Sequence, residues 1–159
     1  MTERLNTGLS ELTRKKVVDG LISLLANSYI LYLKTHNFHW NVTGPMFQSL
    51  HILFETQYTE IWNAVDEIAE RIRALGFGVP ASHKDFFDLT EVQESIGNCS
   101  IKADSMIRQL MEDLEIVVRL ARELLPQVEM IKDQVTADLL SERMRVHESN
   151  AWMLRSLLE

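Results

Sequence analysis

Apolar residues return every three or four positions along four long stretches of this chain, the mark of helices with a buried face. In the first stretch Leu21, Leu25, Tyr29 and Tyr32 keep that spacing. In the third, Ala103, Ile107, Leu110, Leu114, Val117, Ala121 and Leu124 form a stripe; in the fourth, Leu140, Met144, His147, Ala151 and Leu154 share a face. Breakers set the limits. Gly44-Pro45 interrupts the pattern, Pro45 is favoured at a first helical position, and Gly76 supplies a left-handed stop. The spacing therefore predicts helices over about 9–39, 45–76, 100–125 (ended by Pro126) and 133–159. Between residues 77 and 99 the pattern loosens. Thr90 to Gln93 resembles a capping box and Gly97 a stop, which predicts a short helix there. That connection must cross the bundle if the second and third helices run parallel. The expected fold class is all-α, a four-helix bundle with a short helix in a long crossover, forming one domain over 1–159.

The first helix carries no charge from residue 20 to 33, so it is expected to be buried on more than one side, with a subunit contact in addition to a core. No apolar run approaches the length needed to span a bilayer, and the N-terminus lacks the apolar segment of a secretory signal. Cys99 is the sole cysteine, which excludes an internal disulfide and favours a reducing cytoplasm. Sixteen Lys and Arg against 23 acids leave a net charge of −7. Nucleic-acid binding usually needs a basic patch or tail to neutralise phosphates. The one small basic cluster, Arg14, Lys15 and Lys16, reads as a solvated helix face.

Candidate chemistry gathers in residues 36–76. His39 and His51 lie equally far either side of Pro45, so an antiparallel hairpin makes them face each other. At 100° per residue, His51, Glu55, Asp66 and Glu70 fall within an arc of roughly 100° on the second helix. The 15 positions from 51 to 66 span about 22 Å of helix, while metal ligands sit about 2 Å from the ion. One chain therefore cannot bring both pairs to one metal. An antiparallel copy of the helix across a two-fold axis would, setting Asp66 and Glu70 of one chain opposite His51 and Glu55 of the other. Tyr58 and Trp62 would fill the middle of that contact. The alternative is a core histidine and a solvated acidic face, although Tyr58 and Trp62 make it more than a plain charged stripe. The second half of the first helix has no carboxylate and the second helix no Glu-x-x-His, which argues against a di-iron site inside the bundle. His36 and Trp40 read as packing residues beside the site, His83 as a surface histidine and His147 as a core histidine.

The segments H-W-N-V-T-G (39–44), L-H-I-L-F-E (50–55) and A-V-D-E-I-A-E-R-I (64–72) resemble the Dps family of ferritin-like mini-ferritins, and the resemblance covers nearly the whole chain. It implies a twelve-subunit shell of two-fold dimers with iron sites at the two-fold interfaces. His39, His51, Glu55, Asp66 and Glu70 match the family's ferroxidase motif, with Glu55 standing where Asp is common. His39 would bind iron directly or through a water at a neighbouring position. The implied activity is oxidation of Fe(II) by hydrogen peroxide, or oxygen, with storage of the ferric product. The alternative is a nucleoid-associated, DNA-compacting stress protein, but the Lys-rich tail often tied to DNA binding is missing here. By resemblance, three-fold pores are lined near the start of the last helix. Asp133, Asp138 and Glu142 lie there as a possible iron path, with Val135 and Gln134 where the family often has acids. Alternatively Asp133 is an N-cap and Asp138 a favourable first-turn acid.

Overall fold

Ser10 starts the first helix, α1 (Glu11–Asn41), by accepting a hydrogen bond from the backbone N–H of Thr13. The computed structural model describes residues 5–94 and 101–159 of the chain. After α1 a tight turn follows. Gly44 has φ +105°, and the N–H of Phe47 donates to its carbonyl at 3.0 Å. Pro45 thus occupies a corner of this turn, where its fixed φ is also favoured, and α2 (Phe47–Ala74) begins two residues later than Pro45 predicts. At the far end Gly76 takes φ +91°, as expected for a left-handed stop, and the N–H of Phe77 reaches back to the Ile72 carbonyl. A Cβ at Gly76 would also meet Arg14 Nη1 at 2.8 Å.

The short helix sits upstream of its expected place. It is α3 (His83–Leu89), opened by a reciprocal capping box between Ser82 and Asp85. Thr90 closes this helix instead of starting one. Its hydroxyl, with the N–H groups of Glu91 and Val92, is gathered by the buried Asn27 side chain of α1. A long-range hydrogen-bonding partner thus took the residues that locally resemble a cap. Gly97, Cys99 and the expected start at residue 100 lie outside the described residues.

Next comes α4 (Ala103–Met130), which does not stop at Pro126. Pro126 and Arg122, whose carbonyl loses its helical partner to the proline, both lie on the exposed side, where water can satisfy that carbonyl. Meanwhile Leu124 and Val128 carry the buried stripe past the proline. Finally α5 (Gln134–Ser156) is capped by Asp133.

Helices α1 and α2 form one hairpin and α4 and α5 the other; α1 packs on α3 and α4, and α2 on α5. Arg71 of α2 meets Asp133 at the start of α5, while Glu60 meets Arg143 further along, so α2 and α5 are antiparallel. It follows that α2 and α4 run parallel, and the connection through α3 crosses the bundle. An 18-residue window of α1 is apolar enough to cross a membrane, with mean hydropathy 1.3. Its apolar side chains are those packed in the bundle, among them Leu21, Leu24, Leu25, Ile30 and Leu31. Three neighbours within one chain already account for their burial. The basic cluster is only partly solvated: Arg14 is buried and donates to the carbonyls of Leu9 and Leu75, tying the start of α1 to the end of α2.

Candidate metal centre

His39 lies one turn from the end of α1 and His51 in the second turn of α2, so the hairpin brings them together. Their rings stack with centroids 3.8 Å apart and planes 18° from parallel. Nδ1 of His39 donates to the backbone carbonyl of His51 at 2.8 Å, and Nδ1 of His51 donates to that of His39 at 2.9 Å. A carbonyl only accepts, so each Nδ1 carries a proton. In the neutral rings each Nε2 then keeps its lone pair, the form in which histidine binds metal. The backbone of the hairpin itself fixes both tautomers.

His36 stacks on Tyr58 (centroids 4.0 Å) and meets the Trp40 ring at a tilt (3.8 Å, 34°), and its Nδ1 hydrogen-bonds the Tyr32 hydroxyl. Burial, then the neighbouring His39, pushes its pKa below the usual histidine value. It is a packing residue beside the pair, as the sequence suggests.

Phe47, His51, Glu55, Tyr58, Trp62, Asp66 and Glu70 follow one stripe of α2, next to the buried stripe through Leu50, Phe54, Ile61 and Ile68. Glu55, Asp66 and Glu70 are exposed, and among the described residues none of them makes a hydrogen bond or ion pair. Asp66 lines an open groove of about 490 Å³ with Trp62, Asn63, Val65, Glu67 and Ala69. The structure therefore unites His39 with His51, with Glu55 one turn on, and leaves Asp66 and Glu70 at the other end of the stripe. Among the described residues no three His, Cys, Asp or Glu side chains of one chain converge on a common metal position. Trp40, Phe47, Ile52 and Trp62 are large apolar side chains left exposed around this face.

Of the three acids near the start of α5, Asp133 is buried. Both its oxygens bind Arg71 (2.7 and 2.9 Å), and Thr136 donates from its N–H and hydroxyl. Burial opposes ionisation of Asp133, but the bonds from Thr136 and Arg71 outweigh it and hold its pKa below the usual carboxylate range. Asp138 is exposed and accepts from Gln134. Glu142 is exposed and bidentate with Arg145.

Two buried polar groups escaped the sequence reading. Lys34 of α1 and Asp113 of α4 form an ion pair at 2.6 Å, both nearly inaccessible, and Lys34 also donates to the Gln93 carbonyl of the crossover. Arg143 is buried on the α5 face that carries His147 and pairs with Glu60 at 2.6 Å. His147 is a core histidine, as expected. Burial, then Arg143, pushes its pKa down to about 3. One sequence signal was available: Arg143 lies four residues before His147, on the same helix face.

The Ferritin-like domain family matches residues 18–159. An uncharacterised low temperature-induced protein of Nostoc sp. is 40% identical over 157 residues, covering 98% of this chain and 87% of the relative. DNA protection during starvation protein 2 of Bacillus anthracis is 36% identical over 144 residues, covering 91% and 97%. Among solved structures, the DPS protein of Vibrio cholerae O1, described as a member of a broad superfamily of ferritin-like diiron-carboxylate proteins, superposes with a TM-score of 0.92 at 30% identity, covering 100% of this chain and 99% of that one.

Proposed function

The chain belongs to the ferritin-like family, in its Dps branch, and from that premise we propose that it oxidises Fe(II) at sites shared by two subunits and stores the ferric product in a hollow homo-oligomer of twelve. The observation that carries this reading is the His39–His51 pair, two imidazoles preset with free Nε2 atoms, of which His51 lies on the α2 stripe that also holds Glu55. The ligands His51 and Glu55 come from one subunit, Asp66 and Glu70 from its partner, and His39 serves a neighbouring iron position. Imidazole and carboxylate together suit iron, and hard carboxylate oxygens favour the Fe(III) product. Glu55 has one more methylene than Asp, so it reaches iron from a backbone set further back. The apolar side chains exposed around the stripe support burial of this face against a second copy. Hydrogen peroxide is the oxidant, with oxygen as the slower substitute, and the reaction removes both reagents of hydroxyl-radical chemistry. Iron reaches the shell interior past Asp138 and Glu142, rings of acids being able to select cations. Asp133, held by Arg71, serves that region as a cap.

The reading is tested by adding Fe(II) and peroxide to the assembled protein and following ferric absorbance. Rapid growth that His51→Ala abolishes supports it; growth no faster than in buffer overturns it. DNA compaction is the competing reading, and a net charge of −7 weighs against it. Tight, salt-sensitive gel retardation at physiological salt would reverse that judgement.

A further inference from the structure

At one level of the bundle each of the four long helices sets a polar side chain into the core. Lys34 of α1 pairs with Asp113 of α4. Across the α1–α2 hairpin Tyr32 faces Tyr58 and His39 faces His51, so Lys34 stands level with Gln57 of α2. Arg143 meets Glu60 where α2 and α5 run antiparallel, so His147, one turn after Arg143, stands level with Gln57, about one turn before Glu60. Lys34, Gln57, Asp113 and His147 are all buried. Among the described residues the Gln57 amide nitrogen, both ring nitrogens of His147 and Glu60 Oε2 find no hydrogen-bond partner. Leucine would serve packing at both 57 and 147, as it does at Leu50 and Leu140. Gln57 instead offers two N–H donors, neutral His147 one donor and one lone pair, and Glu60 acceptors. A buried water, which donates and accepts and typically makes about three hydrogen bonds, fits such a set. The layer also reaches both flanks. The Glu60 side chain is 33% exposed on the α2–α5 face. On the opposite face, where α1 and α4 are neighbours, Lys34 holds the Gln93 carbonyl and lines a cleft of about 180 Å³ with Asn37 and Glu94.

Resting on the iron-storing reading above, we propose that this layer, with water held between Gln57 and His147, carries protons across the subunit wall. Iron oxidation makes the protons: two Fe(II), one hydrogen peroxide and two waters give two FeO(OH) and four protons. In a wall one subunit thick, one of the two faces looks inward. Glu60 exchanges protons with solvent at its end. His147, kept neutral by burial, accepts a proton on its bare nitrogen and releases the one on its other nitrogen, and a turn of the ring restores the starting tautomer. Asp113, whose protonated form is favoured by burial, passes the proton to the cleft beside Lys34. No electron moves and no reagent is consumed. Arg143 keeps its own proton and fixes Glu60 in place. Such a route keeps outgoing protons off Asp138 and Glu142, the carboxylates on the proposed iron path.

The test reassembles the shell around a trapped pH-sensitive dye and follows the dye by stopped flow after a jump in external pH. His147→Leu and Gln57→Leu leave Asp138 and Glu142 untouched, and severalfold slower equilibration of the interior in either variant is the expected result. Ferric absorbance growth with Fe(II) and peroxide should keep its initial rate in both, because neither residue is a proposed iron ligand. A high-resolution crystal structure of the assembled protein gives a readout that needs no variant, with water expected on Gln57 Nε2 and a His147 nitrogen. A dry layer there, or equal rates in all three proteins when the shell retains dye and forms ferric product, overturns the proposal and leaves the iron-storing reading standing. A reassembled protein that retains no dye and forms no ferric product overturns both.

Discussion

His39 and His51 hold each other's imidazoles through backbone carbonyls, each Nδ1 donating to the other residue's oxygen at 2.8 and 2.9 Å. The consequence is asymmetric for substitutions. Removing either side chain leaves its carbonyl in place, so the surviving histidine keeps its tautomer. In the proposed site, loss of His39 should therefore impair iron binding less than loss of His51, the direct ligand.

The shared site can be tested by complementation. His51→Ala and Asp66→Ala should each abolish fast iron oxidation while circular dichroism stays helical, because both side chains lie outside the buried stripe of α2. After dissociation and reassembly together, mixed dimers should regain one intact site each. Mass spectrometry checks that mixed oligomers formed; if they did and no activity returns, the site is not shared.

Asp138→Asn should slow iron uptake into the shell while leaving affinity at the His51 site unchanged. The deficit should be largest at low salt, where a carboxylate field is least screened. Stopped-flow uptake measured across ionic strengths decides it, and rates equal to the unaltered protein at every salt would remove Asp138 from the path.

Acid stability should report His147. Its pKa is about 3 in the fold against about 6.5 unfolded, so the unfolded chain binds more protons between those values. The stability contributed by the neutral, buried ring is complete above about pH 6.5 and is lost as pH falls toward about 3, by about 1.4 kcal/mol per unit. His147→Leu should flatten this part of the pH dependence relative to the unaltered protein. Urea midpoints from pH 7 to 4 are the measurement, and parallel curves for the two proteins would refute it.

Lys34→Met should destabilise the fold by about 3–5 kcal/mol, because Asp113 would be left charged and unpaired in the interior. Burial already raises the Asp113 pKa, against the opposing pull of Lys34. The double variant Lys34→Met/Asp113→Leu should recover most of the loss. Thermal melts separate these outcomes, and equal destabilisation in single and double variants would mean the pair is not the cause.

Much of this protein is decided locally and so is legible in the chain. Helical periodicity, the left-handed glycine at Gly76 and the break at Gly44 are properties of short segments, and they delimit α1, α2 and α5 to within a few residues. The His39–His51 contact follows as well, because a tight hairpin fixes which residues lie opposite across it. Periodicity also placed Glu55, Asp66 and Glu70 on one stripe, since a helix carries its faces in its own geometry.

Only the tertiary structure decided the rest, wherever a distant partner outweighs a local preference. Pro126 resembles a helix end, yet α4 passes it because Leu124 and Val128 are buried and the freed carbonyl faces water. Thr90 resembles a helix start, but Asn27, 63 positions earlier, claims its hydroxyl. Arg14 looks like one charge of a solvated cluster, and the Leu75 carbonyl and the bare backbone of Gly76 draw it into the fold. Asp133 looks free to line a pore until Arg71 is seen to hold both its oxygens. Hydrogen bonds and ion pairs between residues some sixty positions apart leave no periodic trace in a sequence, so packing alone reveals which charges are spent inside one subunit and which stay on its surface.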